Sequence, residues 1–231
     1  MASSPLPAGD QASTQYSRLL KLRWLLMAVF VAVILLSLVA DFMLGPSGLS
    51  WSELMRTLFS PDQAEPTTSV IVWDVRLPYA VMAVVVGLGL GLAGAEMQTI
   101  LANPLASPFT LGISSAAAFG ASLALVLDLS LPWLPADWAV AGNAFVFAIL
   151  SALLLDVLAR WGGMSGSGMV LVGIALVFTF NALVSLMQFI ASAEDLQNLV
   201  FWTMGSLADA NWHSLFLPVL IVTTLAIYFL S

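Results

Sequence analysis

The amino-acid sequence predicts an all-α protein, a polytopic transmembrane bundle of six helices with two short helices on the periplasmic side. Its residues are 61% hydrophobic and only 8% charged, whereas a soluble domain carries about 25% charged residues. The mean hydropathy is +1.02. Six apolar stretches are each long enough to cross a bilayer, for which a helix needs roughly 20 residues: Trp24–Leu44, Leu77–Leu101, Phe109–Leu127, Trp138–Ala159, Met169–Ile190 and Trp212–Leu230.

The composition also argues against several classes of protein. The net charge is −7 and the six Lys and Arg residues are scattered along the chain, so no basic patch is available for a nucleic acid. The absence of cysteine excludes disulfides and thiolate metal sites. A single histidine and the lack of an HExxH sequence argue against a zinc peptidase. We therefore expect no catalytic residue, no metal site and no bound cofactor.

Basic residues before the first span predict an N-terminus in the cytoplasm. Arg18, Lys21 and Arg23 lie immediately ahead of that span, and positive charge flanking a span favours the cytoplasmic side. We expect residues 1–21 to form a cytoplasmic tail, whose first 17 residues are polar and disordered. Residues 22–231 then form the transmembrane domain.

The two short helices are predicted in loops outside the spans. Ser50 and Glu53 have the spacing of a capping box, and the apolar residues that follow recur at the helical period: Trp51, Leu54, Met55, Leu58 and Phe59. This helix either lies on the membrane surface or packs as a lid. The second short helix is predicted at Ala193–Met204, between spans five and six.

Proline and glycine mark the boundaries around the second and third spans. Pro78 suits the first turn of span two, where a missing N–H is harmless. Asn103-Pro104 ends that span, because the residue before proline is pushed out of helical backbone angles. Ser107-Pro108 is predicted as the N-cap and first residue of span three, whose Ala, Ser and Gly content favours close packing. Inside span two, Gly87 and Gly91 offer a flat face for helix contact.

Two short motifs resemble enzyme signatures but fail on their context. Gly89, Gly91 and Gly94 match the spacing of a dinucleotide fingerprint, which requires a strand before a helix, whereas here they lie inside one apolar span. The stretch Gly163-Met164-Ser165-Gly166 resembles the nucleophile motif of intramembrane serine proteases, with His213 as the base. In the predicted topology these two residues lie on opposite sides of the membrane, about 30 Å apart, so no dyad forms.

A few polar side chains interrupt the spans and are candidates for a polar pathway. Glu96 is the one acid deep in a span, where a charge costs roughly 2.5–3.5 kcal/mol, and Gln98 lies close to it. Asn181 and Gln188 are seven residues apart and share a face of span five. Two interpretations stay open: these groups line a pathway, or they serve the structure through protonation, snorkelling or interhelical hydrogen bonds.

Five motifs occur in a characteristic order: Val75-Arg76-Leu77-Pro78, Gly94-Ala95-Glu96-Met97-Gln98, Asn103-Pro104-Leu105-Ala106-Ser107-Pro108 with Leu111-Gly112-Ile113, Val172-Gly173-Ile174-Ala175, and Trp202-Thr203-Met204-Gly205-Ser206-Leu207. Together they resemble the FecCD-type permeases, the membrane subunits of type II ABC importers for iron–siderophore, haem and cobalamin. The resemblance covers residues 22–231.

The resemblance implies an import permease of the bacterial inner membrane that carries an iron–siderophore complex, or haem or cobalamin, and has no enzymatic activity of its own. It implies cytoplasmic ATPases, a periplasmic binding protein and a second or sister permease as partners. It further implies that Arg76 and Tyr79 dock the binding protein, although many relatives have a second arginine where Tyr79 stands. Span five would line the substrate path, and Ser165-Gly166-Ser167 would form a cytoplasmic gate.

The chain departs from the family pattern in its length. Members have about ten spans, whereas this sequence stops at Ser231, just after the sixth and ahead of the helix that couples a permease to its ATPase. The resemblance thus implies a permease that is C-terminally truncated, as a fragment, a truncated reading frame or half of a split permease, and that does not transport on its own. The alternative function is that of an ion-coupled secondary transporter in which Glu96 relays protons.

Overall fold

The structure, a computed structural model, describes residues 10–44, 50–60, 64–132, 134, 135 and 138–230. These residues form helices, turns and loops, with no strand among them. The chain divides into two compact units, residues 1–80 and 81–231. The α-helices are α1 Asp10–Leu44, α2 Trp51–Phe59, α3 Pro66–Val70, α4 Leu77–Ile100, α5 Ile113–Leu127, α6 Ala139–Gly162, α7 Gly166–Ile190, α8 Ala193–Met204 and α9 Trp212–Leu230.

The apolar helices occupy the places where spans are predicted. Within the described part of the chain, four stretches are long and apolar enough to cross a membrane: Tyr16–Met43, Pro66–Ile100, Ala139–Gly162 and Gly166–Ile190. Two shorter apolar helices, Ile113–Leu127 and Trp212–Leu225, lie at the sites of the third and sixth spans. The short helices α2 and α8 also form where the sequence predicts them, and the all-α prediction is confirmed.

Helix α1 begins earlier than its apolar stretch. The prediction of disorder through residue 17 is wrong from Asp10 onward, because the helix starts at Asp10 rather than at Trp24. Residues 10–23 contain neither proline nor glycine, so nothing in the backbone interrupts the helix ahead of the apolar stretch. Residues 1–9 of the predicted tail lie outside the described part of the chain.

In the first unit, α2 is a packing helix. Its capping box is formed, because the Ser50 N–H donates to Glu53 Oε2 at 2.9 Å and the Glu53 N–H donates to Ser50 Oγ at 3.3 Å. The Ser50 side chain, followed by its backbone N–H, lowers the pKa of Glu53 below its ordinary value. Leu54 is buried with Phe42 and Val72 in one apolar cluster. This burial favours the lid interpretation of α2.

A π-helical segment, Ile71–Arg76, joins α3 to α4 without a break, so the second apolar helix runs from Pro66. Pro66, rather than Pro78, occupies the first turn, and the prediction for Pro78 is wrong. An interior proline removes one hydrogen bond and clashes with the carbonyl four residues back. The π segment ends two residues before Pro78, and local π geometry is one of the adjustments by which membrane helices tolerate an interior proline.

In the second unit, α5 packs against α6, α7 and α8. Its small residues make this possible, since a Cβ on Gly120 would lie 2.6 Å from the Asn143 carbonyl oxygen of α6. The predicted close packing of span three is confirmed. No described atom outside the surrounding helix lies within 4 Å of a Cβ built at Gly87 or Gly91, so the helix contact expected there stays a prediction. Both glycines lie on exposed stretches of α4.

Candidate functional site

The connector, residues 101–112 between α4 and α5, is a non-helical segment that satisfies much of its own backbone. Asn103 Oδ1 accepts the Leu105 N–H at 2.9 Å, and the Asn103 N–H donates to the Gln98 carbonyl at 3.1 Å. The Gln98 side chain donates in turn to the Pro104 carbonyl at 3.1 Å. Irregular backbone within a membrane protein needs such internal partners. Asn103 of the motif therefore acts as a turn former.

In the second half of the connector, the side chains of Ser107 and Thr110 hydrogen-bond to each other's backbone N–H groups. The Ser107 N–H donates to Thr110 Oγ1 at 2.9 Å, and the Thr110 N–H donates to Ser107 Oγ at 3.2 Å. The prediction that Ser107-Pro108 starts span three is wrong, because α5 begins only at Ile113, after Gly112 at φ +79°. Ser107 instead caps a turn that ends at this left-handed glycine, a conformation that other residues rarely adopt.

Glycines bring the connector into backbone contact with α7. A Cβ on Gly112 would lie 2.9 Å from Leu176 Cβ, and a Cβ on Gly173 would lie 2.7 Å from Leu111 Cα. Both distances are shorter than real Cβ contacts, so any larger residue would push the connector away. Ala106 is buried in the same cluster as Leu111. The motif residues of the connector thus pack directly against α7 and support it.

The Ser165-Gly166-Ser167 sequence begins α7 as a tight, capped turn. Ser165 Oγ accepts the Gly168 N–H at 3.4 Å and lies 2.9 Å from Ser167 Oγ. A Cβ on Gly166 would overlap the Leu101 carbonyl oxygen of the connector. The predicted gate residues therefore contact the connector directly. His213 is engaged elsewhere, since its ring lies edge-on to Trp138 with ring centroids 5.8 Å apart.

A cavity of about 360 Å³, here called the polar groove, lies along α7. It is lined by Phe109, Ser114, Ser115, Ala118, Asn181, Val184, Ser185, Gln188 and Thr203. Asn181 and Gln188 both line it, which confirms the prediction that they share a face. The serines and Thr203 were not predicted from the sequence. Ser185 could have been found, because it stands four residues after Asn181 on the same face.

The other two pathway candidates, Glu96 and Gln98, do not line the polar groove. The Gln98 amide holds the connector at Pro104. Glu96 is half-buried and makes no hydrogen bond or ion pair with any residue that the structure describes. The structure thus gathers two of the four predicted residues in one site.

Arg76, the predicted docking residue, has a partner within its own unit. Its Nη1 donates to the Asp41 carbonyl at 2.7 Å and lies 3.5 Å from Asp41 Oδ2. The side chain is only 13% exposed. A cation is also favoured here because the last turn of α1 carries unpaired carbonyls. Tyr79 is 37% exposed. Asp41 as the partner of Arg76 was not predicted from the sequence.

The tryptophan–glycine–serine motif after α7 shapes a second cavity of about 670 Å³. Its lining residues come from the ends of α5 and α8 and the following loop: Leu125, Asn198, Phe201, Trp202, Gly205, Ser206 and Asp209. Gly205 ends α8 at φ +77°. The motif therefore forms a turn that presents polar and aromatic groups side by side.

The helices and the polar groove together define a multi-pass helical membrane protein with a hydrogen-bonding surface along α7. The chain belongs to the FecCD transport family, whose sequence model matches residues 28–231. It is 37% identical over 145 residues to the hemin transport system permease protein HmuU of Yersinia pestis, covering 62% of this chain and 43% of that protein. It is 33% identical over 207 residues to the iron-uptake system permease protein FeuC of Bacillus subtilis, covering 84% and 61%.

Other relatives are named for vitamin B12 and molybdate import. Among solved structures, a metal-chelate type ABC transporter in an inward-facing conformation aligns with a TM-score of 0.64 and 30% identity, covering 81% of this chain and 55% of that one. The chain therefore spans about half the length of the relatives that it matches, from 43% of HmuU to 61% of FeuC.

Proposed function

We propose that the chain forms part of the permease subunit of an ABC importer that moves an iron–siderophore complex from the periplasm to the cytoplasm. The match of residues 28–231 to the FecCD transport family carries this proposal. Relatives named for hemin transport and iron uptake favour an iron complex as the substrate. Haem and cobalamin are the next candidates, because vitamin B12 permeases also occur among the relatives.

The proposed importer has three kinds of protein partner. ATPase subunits hydrolyse ATP in the cytoplasm, a periplasmic binding protein delivers the complex, and a second copy or a sister permease completes the path. The chain itself carries out no chemical reaction. We place it in the bacterial inner membrane with a cytoplasmic N-terminus, because Arg18, Lys21 and Arg23 precede the apolar stretch of α1.

The proposed substrate path follows α7 along the polar groove, where Asn181 and Gln188 offer amide groups to the passing complex. Gln98 contributes indirectly, by holding the connector that supports α7. Glu96 is a further path residue in this proposal, since its half-buried carboxyl has no partner among the described residues. The gate at Ser165-Gly166-Ser167 opens only if Gly166 separates from the Leu101 carbonyl.

Docking of the binding protein is proposed at Arg76 and Tyr79. Arg76 is already paired with Asp41, so an acidic residue of the binding protein has to displace Asp41 to reach the guanidinium. Tyr79 offers an exposed surface one helical turn away. Such a charge pair would mainly steer association and set orientation.

The energy source tests the proposal most directly. The permease is expressed in cells together with its ATPase and binding protein, and uptake of a ferric siderophore is measured. We expect uptake to stop when the ATPase carries a catalytic substitution, and to survive brief treatment with an uncoupler. An ATPase variant that still binds the permease is the control for assembly.

The same assay tests the alternative, a secondary transporter that uses Glu96. In that case an uncoupler and Glu96→Gln abolish uptake, whereas the ATPase substitution has no effect. This combination of results would refute the importer. The reverse combination would exclude proton relay through Glu96.

A further inference from the structure

The polar groove is lined by uncharged polar side chains and by apolar ones. Its lining includes the carboxamides of Asn181 and Gln188 and several hydroxyls, and none of its lining residues is charged. The side chains of Asn181, Ser185 and Gln188 make no hydrogen bonds to other described residues. The groove therefore presents free donors and acceptors without any fixed charge.

We infer that the polar groove accepts the outer face of an electrically neutral metal chelate, of the class in which three singly negative hydroxamates balance one ferric ion. This inference rests on the proposed function and narrows its substrate. The groove volume of about 360 Å³ falls within the range of small-molecule sites and suits one face of such a complex rather than its whole volume.

An electrostatic argument favours a neutral complex over charged complexes as the occupant of the groove. An ion that leaves water for a medium of low dielectric constant loses several kcal/mol of hydration, which only a counter-charge or well-placed dipoles restore. A trianionic ferric tricatecholate, a haem with two carboxylates and an oxyanion all meet no cation in this groove. A neutral complex loses only hydrogen bonds to water, and free amides and hydroxyls replace these.

The shape of the groove adds a second argument. Phe109 and Val184 provide apolar surface between the polar groups, and a hydroxamate complex combines carbonyl oxygens with methylene linkers. The amide groups of Asn181 and Gln188 can donate to those oxygens. The match is therefore one of alternating polar and apolar surface, with no requirement for an ion pair.

Direct binding tests the inference. The 231-residue chain is reconstituted in lipid nanodiscs, and retention of radioactive iron is measured with a ferric trihydroxamate and with a ferric tricatecholate. We expect the native chain to bind the trihydroxamate at least tenfold more tightly. Gln188→Lys introduces a cation into the groove and should reverse this preference by at least tenfold. Gln197→Lys makes the same change on α8, outside the groove lining, and should leave the preference unchanged.

Three results would overturn the inference: tighter binding of the tricatecholate by the native chain, retention of neither complex, or equal effects of the two lysine variants. Tighter binding of the tricatecholate by Gln188→Lys than by the native chain is a gain of binding and so does not arise from misfolding. The proposed function fails separately, through ATPase-independent uptake. An importer that depends on its ATPase but prefers the tricatecholate would retain the proposed function and refute only this inference.

Discussion

Gly173 offers the sharpest test of the connector as a support for α7. In Gly173→Ala the new Cβ would lie 2.7 Å from Leu111 Cα and 2.9 Å from the Thr110 carbonyl oxygen. Both neighbours are backbone atoms, so they yield only if the connector moves. Gly91 is the matched control, because it also lies inside a long apolar helix and no described atom outside the surrounding helix lies within 4 Å of its Cβ position.

The magnitude follows from two opposing terms. Replacing glycine by alanine inside a helix stabilises by about 1 kcal/mol, and this term is common to both variants. Overpacking of a tightly packed contact costs about 1–3 kcal/mol, and this term acts only on Gly173→Ala. The free energy of unfolding of Gly173→Ala should therefore lie about 1–3 kcal/mol below that of Gly91→Ala.

Thermal unfolding in one fixed detergent, followed by tryptophan fluorescence, measures this difference. A chain of this size changes its midpoint by about 2–4 °C for each kcal/mol, so the two variants should differ by several degrees. Equal midpoints would refute the close contact between the connector and α7. A lower midpoint for Gly91→Ala would contradict the placement of Gly91 on an open face of α4.

Three further predictions concern the connector, α2 and the topology. Asn103→Ala removes the acceptor of the Leu105 N–H and should cost about 0.5–1.5 kcal/mol of unfolding free energy. Asn103→Asp keeps an acceptor and should cost less, and equal losses would contradict the turn. Because the folded-state pKa of Glu53 is lowered, its capping bonds stabilise α2 fully above pH 4.5 and weaken as the pH falls through the lowered pKa. The protection factors of the α2 amides, which compare each exchange rate with the intrinsic rate at the same pH, should therefore fall on acidification, and much less so in Ser50→Ala, where the pKa returns toward normal. A cysteine at Ser165 should resist an impermeant thiol reagent applied outside intact cells, whereas a cysteine in α8 should react; ready labelling at Ser165 would reverse the proposed orientation.

Apolar pattern was enough to predict the helices but not their ends. The six apolar helices and the capped helix α2 lie where hydrophobic runs and the Ser50–Glu53 spacing predict them. The boundaries at Asp10 and Ile113 differ from the predictions. At Asp10 the helix continues through polar residues that a search for apolar runs ignores. At Ile113 the backbone contact with α7, which is remote in sequence, decides where the helix begins.

The candidate site was predictable only in part, because helical spacing shows which residues share a face but not which residues they contact. Asn181 and Gln188 share a helix face, so their position in one groove follows from helical spacing. Gln98 and Arg76 find partners through the fold, at Pro104 and Asp41. No local pattern in the sequence records these pairings. Their chemistry was therefore visible in advance, but their neighbours were not.

The π segment has a consequence for the length of the second apolar helix. Ile71–Arg76 accommodates one residue more than a regular α-helix needs in the same turns. Deleting one residue there would let the α-helical ladder close with the flanking turns still in phase, whereas the same deletion in a regular α-helix would rotate one side of it by about 100° relative to the other. Trp73 lies inside this segment, and its indole N–H donates to the Thr57 carbonyl at 3.1 Å. The segment is thus the place where this helix can lose a residue without turning the faces on either side of it.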